Sequence, residues 1–501
     1  MTEKLVGRTL ASILPTIISG LYSDKYDIVR EYCQNAYDAI LLKYKTTAAK
    51  NGLITITISG NDIRIHDNGT GMTKDVVRKL STIGYSTKDT NDQVGYRGIG
   101  RLSGICGARK IHFVTKSKDE NVEYLFEIDS DGLTNEFSDR ETKFSMDAGE
   151  LLAKYSSMEE KILQDTNNGE SYTTVVLHQV YGDAGKLLDP VKLKEYLELN
   201  LPLPTNKAFE HSKDIESLYS EHLPNFPNIS IQLNGQLLTK PFHLLEENKS
   251  YERMILKNAK GKVLAASWYT WDPNKSEMIN NERLRGLRFR HKGFTIGDPG
   301  DMRNLLRTSP QQIPDWFSGE VIVVDGRALI SSDRSRFEDT ISRSELNIAM
   351  EHVLGKNLSL IARDRSSKIS TKRFLVKGKL QIEYLNKILT SEKYKSKEEL
   401  QNIADEANNL AEKIKNKTYT TSTNRDKNNL RETVSDILEK AQKVRKKAKE
   451  ENGIHDKVQL SEQSKAIHSI LKIAIKKHCK NCKSANVLLT KIDSDILNEL
   501  K

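Results

Sequence analysis

The chain has 501 residues, with 78 Lys and Arg against 68 Asp and Glu, and its formal net charge is +10. That length is enough for about three domains, each with a core of its own. A membrane-spanning helix is not expected, because no run of about eighteen apolar residues occurs and the N-terminus lacks the layout of a signal peptide. The four cysteines fit a reducing compartment better than a disulfide framework, so we expect a cytoplasmic protein.

The first strong pattern is helical. Between residues 27 and 45 the apolar residues recur at helical spacing, which predicts an amphipathic helix. Glu31, Asn35 and Asp38 stand at positions i, i+4 and i+7, so they share one face of this helix. A carboxylate and an amide one turn apart can activate a water molecule and reach a metal bound to phosphate. A solvated polar stripe is the plainer interpretation of this helix taken alone.

A predicted β-hairpin follows. Isoleucines alternate with polar residues on both sides of a turn at residues 60 to 62, and they are Ile54, Ile56, Ile58, Ile63 and Ile65. Asp67 continues the apolar face of the second strand, where a carboxylate is costly unless something hydrogen-bonds it. The exocyclic amine of a purine is one such partner, and Gly69 and Gly71 leave room for a flat base. A turn that merely ends the strand is the alternative.

The third pattern is a glycine-rich loop, in which Gly95, Gly98 and Gly100 precede a predicted strand at residues 111 to 115. Backbone N–H groups of such a loop form an anion site suited to phosphates. A dinucleotide-binding βαβ unit would need the loop directly after a first strand, but residues 85 to 93 are polar. The chain also lacks the Gly-x-x-x-x-Gly-Lys-Ser/Thr loop of P-loop enzymes.

In their order and spacing, the helix, the Asp-x-Gly-x-Gly motif, the polar segment and the glycine-rich loop resemble the GHKL ATPases. This superfamily comprises gyrase-type topoisomerases, the chaperone HtpG and its relatives, histidine kinases, MutL and the MORC proteins. The resemblance implies an α+β protein that begins with a two-layer α/β sandwich of the GHKL (Bergerat) type over residues 1–188. A histidine kinase is disfavoured, because its phosphoacceptor helix does not fit into the short segment before Glu31.

The resemblance also implies a role for each motif residue. Glu31 would be the general base for the attacking water, and Asn35 would be a Mg²⁺ ligand through the bound ATP. Asp67 would recognise the adenine amino group, and Lys88 would approach the γ-phosphate. The implied nucleotide-binding residues are Asn35, Asp38, Asp67, Gly69, Gly71, Met72, Lys88, Gly95, Gly98, Ile99, Gly100 and Thr173.

The threonine that family members place beside the adenine aspartate has two candidates. Thr173 matches it in the segment Ser-Tyr-Thr-Thr-Val-Val-Leu, but Tyr172 stands where a glycine usually precedes that threonine. Thr174 is therefore the alternative.

From residue 189 to 345, short apolar runs predict strands of an α+β domain, at about residues 229–233, 263–266, 287–290 and 319–325. In the chaperone, MutL and gyrase branches, a transducer domain of this kind lends a basic side chain to the γ-phosphate. The loop after the last predicted strand resembles that catalytic loop, with Arg334 as first candidate and Arg336 as second. An arginine supplied across a domain boundary acts only after closure, and so it couples hydrolysis to movement. A surface loop with two solvated arginines is the plainer interpretation.

From residue 346 to 501 the sequence becomes helical and strongly charged. Helix-period stretches flank a predicted polar linker at residues 418 to 429, and such helices usually pair with others, which indicates dimerisation or partner binding. Basic runs at residues 443–449 and 472–483 would attract nucleic acid, although interleaved acidic residues favour a solvated helix face. His478, Cys479 and Cys482 could form half of a zinc site, but no second ligand pair lies nearby in the sequence.

These patterns predict a Mg²⁺-dependent ATPase that works as an ATP-driven conformational clamp of the chaperone or MORC type. ATP and Mg²⁺ are the expected cofactors, and we expect a homodimer that holds a protein client or a partner effector. DNA is an alternative client, as in the MutL and MORC branch, and no membrane contact is expected. A non-enzymatic ATP-sensing scaffold is the other alternative, but a mere sensor does not require a general base such as Glu31.

Overall fold

The computed structural model describes residues 9–18, 24–85, 94, 98–136, 139–163, 170–247, 249–308, 310–331, 334–391, 394, 396–421 and 423–450. The chain separates into two compact units, Met1–Ser366 and Ser367–Lys501. The predicted domain boundaries after residues 188 and 345 stay predictions. Lys88, Gly95, His478, Cys479 and Cys482 lie outside the described residues, and so does the predicted basic run at residues 472–483.

The first unit combines helices with strands, and the second is helical where it is described. In the described part of the chain, the α-helices are α1 (Leu14–Ile18), α2 (Tyr26–Tyr44), α3 (Ala48–Asn51), α4 (Lys74–Arg78), α5 (Ser130–Glu136), α6 (Arg140–Ser145), α7 (Ala148–Lys154), α8 (Pro190–Asn200), α9 (Ser212–His222), α10 (Pro299–Leu306), α11 (Ile341–Ala349), α12 (Lys356–Thr390), α13 (Lys397–Thr420) and α14 (Asn424–Glu450). The strands are β1 (Leu53–Ser59), β2 (Asp62–Asp67), β3 (Ala108–Lys116), β4 (Val122–Asp129), β5 (Ser156–Ile162), β6 (Tyr172–Val180), β7 (Ser230–Leu233), β8 (Gln236–Leu237), β9 (Ser250–Lys257), β10 (Val263–Trp271), β11 (Gly286–His291), β12 (Phe294–Ile296) and β13 (Ser318–Val323). The predicted α+β class is confirmed. No helix among the described residues is both long and apolar enough to cross a bilayer.

Helix α2 is the predicted amphipathic helix. Its apolar side chains are buried in the same core as the first sheet, and they include Ile28, Cys33, Ala36 and Ile40. Burial of an aliphatic side chain as large as isoleucine stabilises a fold by about 1.5–3 kcal/mol. Because the apolar positions fix the rotation of the helix, its polar residues reach the site at helical intervals.

The first sheet has eight strands among the described residues, in the order β5-β4-β3-β6-β2-β1-β7-β8. The predicted hairpin is present, since β1 and β2 pair antiparallel. Strand β6 lies on the other side of β2, where Thr173 stands opposite Asp67. Side chains alternate between the two faces of a strand, so Asp67 shares the buried face of Ile63 and Ile65.

One predicted strand joins a different sheet from the one we expected. The run at residues 229–233 was predicted as part of the middle α+β domain, but β7 lies parallel to β1 in the first sheet. Ile231 stands opposite Ile54, and Leu233 stands opposite Ile56, so the apolar residues of both strands share one buried face. Alternation indicates a strand and its buried face, but it does not identify the neighbouring strand.

The second sheet has the order β12-β11-β13-β10-β9 among the described residues. It contains the other three predicted strand runs, at residues 263–266, 287–290 and 319–325, in β10, β11 and β13. Strands β11 and β13 are parallel, and the remaining pairs are antiparallel. All six residues of β11 and of β13 are buried, so both strands lie inside this part of the first unit.

A buried ion cluster lies at the centre of the second sheet. Glu320 Oε1 accepts a hydrogen bond from Arg290 Nε at 2.6 Å. Its Oε2 accepts hydrogen bonds from Lys240 Nζ, the Tyr219 hydroxyl and Trp268 Nε1 at 3.0–3.1 Å. Burial alone would raise the pKa of Glu320, but the charges of Arg290 and Lys240 hold that pKa well below its usual value.

The second unit has a core of its own, in which α13 and α14 pack together through small and aliphatic side chains. The buried residues of these two helices include Leu400, Ala404, Ala407, Ala411, Ile414, Leu430, Ile437, Ala441 and Val444. The predicted linker at residues 418–429 is wrong, because α13 continues to residue 420 and α14 begins at residue 424. Thr423 accepts a hydrogen bond from the Asp426 N–H at 3.2 Å and donates one to the Asp426 carboxylate at 2.7 Å. Thr423 is therefore the N-cap residue of α14, with its hydroxyl also bonded to the Asp426 side chain, so the polar residues there begin a helix.

Candidate active site

Glu31 is held in a buried position on helix α2, with 8% of its surface exposed. Its Oε1 atom lies 3.4 Å from Arg334 Nε and 3.8 Å from Arg30 Nη2. Gly100 lies on another side of the carboxylate, since a Cβ atom at this position would be only 2.4 Å from Glu31 Oε2. A larger residue at position 100 would therefore displace the carboxylate.

Asn35 and Asp38 follow Glu31 along α2. Asn35 is half-buried and lies one turn after Glu31. Asp38 is fully buried, and its Oδ1 accepts a hydrogen bond from the backbone N–H of Val94 at 2.7 Å. Asp38 thus holds the backbone of the chain just before the glycine-rich loop. The resemblance implies a contact with nucleotide at this position, whereas the observed contact positions the loop.

Arg334 contacts the same residue, Val94, through its carbonyl oxygen. Its Nη2 donates a hydrogen bond to the carbonyl of Val94 at 2.9 Å. The residue is buried and has a φ of 58°, a left-handed conformation that costs a non-glycine residue about 1–2 kcal/mol. Backbone hydrogen bonds with Ser331 and Gly297 hold that conformation. Arg336 is exposed, so Arg334 is the arginine of this loop that lies against Glu31.

Asp67 is the second buried carboxylate of the site, with 5% of its surface exposed. Burial raises the pKa of Asp67 to about 7, although backbone hydrogen bonds from Gly69 and Thr173 and the charge of Lys43 act to lower it. The Gly69 N–H donates to Asp67 Oδ1 at 2.8 Å. A Cβ atom at position 69 would lie 2.6 Å from the Cβ of Ala39, so α2 passes directly beside this aspartate.

Gly71 and Met72 connect the aspartate to the neighbouring strands. Gly71 has a φ of 64°, and a Cβ atom there would lie 1.9 Å from the carbonyl oxygen of Lys116, so this position requires glycine. The Met72 N–H donates to Thr115 Oγ1 at 2.9 Å, and that hydroxyl lies 3.1 Å from Thr173 Oγ1. The threonine hydroxyls and the Met72 backbone therefore form one hydrogen-bonded group on the side of the sheet that carries Asp67.

The two candidate threonines face opposite sides of the first sheet. Thr173 is the direct neighbour of Asp67 in β6, whereas Thr174 is the neighbour of His66 and contacts its Nδ1 at 2.9 Å. Adjacent residues of a strand point to opposite faces. Thr173 is thus the one that shares the face of Asp67.

Arg101 fixes both flanks of the segment that contains Lys88. It donates hydrogen bonds to four backbone carbonyls, those of Leu80, Thr82, Tyr85 and Gly98. Burial lowers the pKa of Arg101 to about 10, so the side chain keeps its charge at neutral pH. Ile99 and Gly100 lie at the start of a short 3₁₀ helix, Gly100–Cys106, which continues from the loop.

Two residues of this region were missed by the sequence analysis. Arg101 follows the glycine-rich loop, but no spacing signal indicates that it binds backbone carbonyls on both sides of residues 86–93. Gln34 is 1% exposed, and neither atom of its amide has a hydrogen-bond partner among the described residues. A buried amide without partners costs free energy, which an acceptor or donor from a bound ligand or water would offset. Its position next to Asn35 was the only signal available.

The candidate site extends along α2 and has a different set of residues at each end. Glu31 lies near one end with Arg334, and Ala39 lies beside Asp67 about two turns later, which is about 12 Å along a helix. An elongated ligand can therefore meet a hydrogen-bond acceptor at one end and a base with cations at the other. Among the residues that the structure describes, no group of three or more His, Cys, Asp and Glu side chains could hold a metal ion. A metal ion at Asn35 would need oxygen ligands from the bound molecule and from water.

The N-terminal part of the chain matches a known family. Residues 23–150 match the family model described as histidine kinase-, DNA gyrase B-, and HSP90-like ATPase. This segment contains α2, the hairpin and the glycine-rich loop, which are the elements that build the site described above.

Curated relatives include several proteins named chaperone protein HtpG. The chain is 33% identical over 154 residues to HtpG of Rickettsia canadensis, which covers 26% of the chain and 24% of that relative. It is 33% identical over 139 residues to HtpG of Bacteroides thetaiotaomicron, covering 24% of the chain and 20% of that relative. A longer match to HtpG of Natranaerobius thermophilus is 22% identical over 389 residues and covers 71% of the chain and 56% of that relative. The chain thus spans about a quarter or less of the first two relatives.

Proposed function

Because the chain carries a GHKL-type ATPase domain and is related to HtpG, we propose that it hydrolyses ATP in a Mg²⁺-dependent reaction and uses the cycle as a conformational clamp. The observation that carries this proposal is the contact of Arg334 with both Glu31 and the Val94 carbonyl. That contact joins the middle region of the chain to the base and to the glycine-rich loop. We also propose that the protein is chaperone-like, cytoplasmic and homodimeric.

Asp67 and Glu31 divide the chemistry in this proposal. Asp67 accepts a hydrogen bond from the adenine amino group, with Gly69, Gly71, Met72 and Thr173 around the base. Glu31 removes a proton from the attacking water as general base, a role that typically contributes about 10²–10⁴ in rate. The close fit of Gly100 against the carboxylate supports this role, because it limits where the carboxylate can move.

Mg²⁺ fits the residues that are present. Asn35 offers one oxygen ligand on the same face of α2 as Glu31, and phosphate oxygens and water would complete the shell. The bound ion would neutralise charge on the phosphates during transfer. Gly98, Ile99 and Gly100, with Gly95 and Lys88, would surround the phosphates.

Arg334 couples hydrolysis to the middle region. Beside Glu31 it forms an ion pair of 3.4 Å, and the γ-phosphate of ATP carries more negative charge than a carboxylate. Arg334 therefore exchanges Glu31 for the phosphate when ATP binds, which frees the base and stabilises the charge of the transition state. The same movement changes the hydrogen bond that Arg334 donates to the Val94 carbonyl.

The first test measures Mg²⁺-dependent ATP hydrolysis by the wild-type protein and by Glu31→Ala. We expect ATP binding to be retained and hydrolysis to fall by about 100-fold or more. The exposed Glu150→Ala on α7 is the matched control and should hydrolyse ATP normally. Equal turnover by Glu31→Ala and wild type would rule out the assigned base, and binding without turnover in wild type would favour an ATP-sensing scaffold.

A second test separates the two arginines of the loop. Arg334→Ala should slow hydrolysis about 100-fold, because the arginine contacts charge that develops in the transition state. ATP affinity should stay near normal, because Arg334 gives up its ion pair with Glu31 when it reaches the phosphate and the net gain on binding is small. Arg336→Ala, an exposed arginine two positions away, should have little effect. A faster Arg334→Ala enzyme would instead show that the arginine only restrains Glu31.

The client is tested by adding either duplex DNA or an unfolded protein to the hydrolysis assay. We expect the unfolded protein to stimulate turnover, as the relationship to HtpG suggests. Stimulation by DNA alone would replace the protein client with a nucleic acid and favour a clamp of the MutL or MORC type.

A further inference from the structure

A cavity of about 200 Å³ lies in the middle region of the first unit, away from Glu31 and Asp67. Its apolar wall includes Leu245, Ile279 and Trp316, and its rim carries Leu244 and Met278, which are 49% and 43% exposed. A cavity of about 150 Å³ already takes up a benzene molecule, so this one has room for one large apolar side chain.

Arg365 of helix α12 lines the same cavity, although only 3% of its surface is exposed. Its Nη2 donates to the backbone carbonyl of Lys275, another lining residue. Its Nε and Nη1 have no acceptor among the described residues. The guanidinium lies 5.7 Å from the ring centres of both Trp316 and Phe317, so aromatic rings hold it in place.

Four of the other charged groups of the cavity pair with one another, whereas Glu277, which also lines it, is exposed and has no ion pair among the described residues. Lys275 Nζ lies 2.6 Å from Glu246 Oε2. Lys249 Nζ lies 3.5 Å from the same oxygen and 3.6 Å from Asp272 Oδ2. Asp272 also attracts Arg365 electrostatically, but it gives the guanidinium no hydrogen bond. Arg365 is thus the cation of this wall with N–H groups left for an acceptor. A charged acceptor would form the strongest such bond.

We propose that this cavity binds the carboxyl-terminal residue of a peptide, with its carboxylate on Arg365 and its apolar side chain against Leu245, Ile279 and Trp316. An Asp or Glu side chain supplies a carboxylate but no apolar group on the same residue. A terminal Leu or Phe supplies both, separated by one Cα atom. The site is separate from the proposed ATPase site, so its occupancy is measured independently of hydrolysis.

The test uses fluorescence anisotropy with a fluorescein-labelled peptide that ends in Gly-Ser-Leu-Phe, prepared as the free acid and as the C-terminal amide. We expect the full-length wild-type chain to bind the acid at least about tenfold more tightly than the amide. Arg365→Met should abolish this preference. Arg363→Met, an exposed arginine two positions earlier on α12, is the matched control and should keep it.

Met278→Asp is the second variant, because Met278 is exposed at the rim and its replacement does not disturb the core. We expect it to weaken acid binding several-fold by like-charge repulsion. Equal affinity for acid and amide, or an equal effect of Arg363→Met, would overturn the proposal. N-acetyl-leucine that competes as well as the peptide would also overturn it, since the occupant would then be a small carboxylic acid. Hydrolysis by the same variants reports separately on the ATPase proposal.

Discussion

The two sheets of the first unit each bury one carboxylate, but the two carboxylates differ in their hydrogen-bond partners and in their pKa. Asp67 in the first sheet has no cation within ion-pair distance among the described residues, and burial raises its pKa to about 7. Glu320 in the second sheet receives hydrogen bonds from four side chains, two of them cations, and its pKa is held well below the usual value. Asp67 therefore has no cationic partner in the described part of the chain, whereas Glu320 has two cations and two further hydrogen-bond donors.

The difference distinguishes a carboxylate that we propose binds a ligand from one that is structural. A buried carboxylate whose partners come from its own fold stabilises that fold, and breaking the cluster leaves charges unpaired. A buried carboxylate with weak partners destabilises the fold by itself, and a ligand that donates a hydrogen bond removes that cost. This criterion supports the proposed role of Asp67 in ligand binding, and it makes Glu320 part of the architecture.

The largest effect is expected at Glu320. Glu320→Gln leaves Arg290 and Lys240 buried without an anion, so the free energy of unfolding should fall by about 3–5 kcal/mol. Urea unfolding followed by circular dichroism measures this. Glu282→Gln, whose ion pair with Arg285 is exposed, is the control and should change little. A Glu320→Gln protein as stable as wild type would show that the ion cluster does not stabilise the fold, and the contrast with Asp67 would be lost.

The next effect is a pH dependence of stability due to Asp67. Its folded-state pKa is about 7, above the 3.8 of an unperturbed Asp, so the folded state binds the proton more tightly. The stabilisation is therefore present at low pH and is lost as the pH rises from about 4 to about 7, by about 2–4 kcal/mol. Urea unfolding at about pH 5 and about pH 8 should show this loss in wild type and a smaller one in Asp67→Asn. Identical pH profiles would mean that Asp67 is ionised throughout.

A smaller effect is expected on nucleotide binding. Asp67→Asn keeps the shape of the side chain but replaces a charged acceptor, so ATP affinity should fall by about 10- to 100-fold while the fold persists. Isothermal titration with ATP measures this, and the exposed Asp183→Asn is the control. Unchanged affinity in Asp67→Asn would remove the adenine role and leave the raised pKa without a function.

Local patterns predicted much of the candidate site, and long-range neighbours account for what was missed. Helix α2 and the hairpin follow from apolar spacing, and the burial of Asp67 follows from strand alternation. The parallel pairing of β7 with β1 joins residues far apart in sequence, so alternation alone could not predict it. Arg101 and Glu320 were missed for the same reason, because most of their partners are distant in sequence and become neighbours only in the fold.

Val94 is held at both polar atoms of its backbone, by Asp38 at its N–H and by Arg334 at its C=O. Neither contact uses the valine side chain. The connection between the helix, the loop and the middle region therefore does not depend on which side chain residue 94 carries. Substitutions at this position that keep the backbone N–H and fit the buried space would preserve the connection, whereas proline, which lacks that N–H, would cut it on one side.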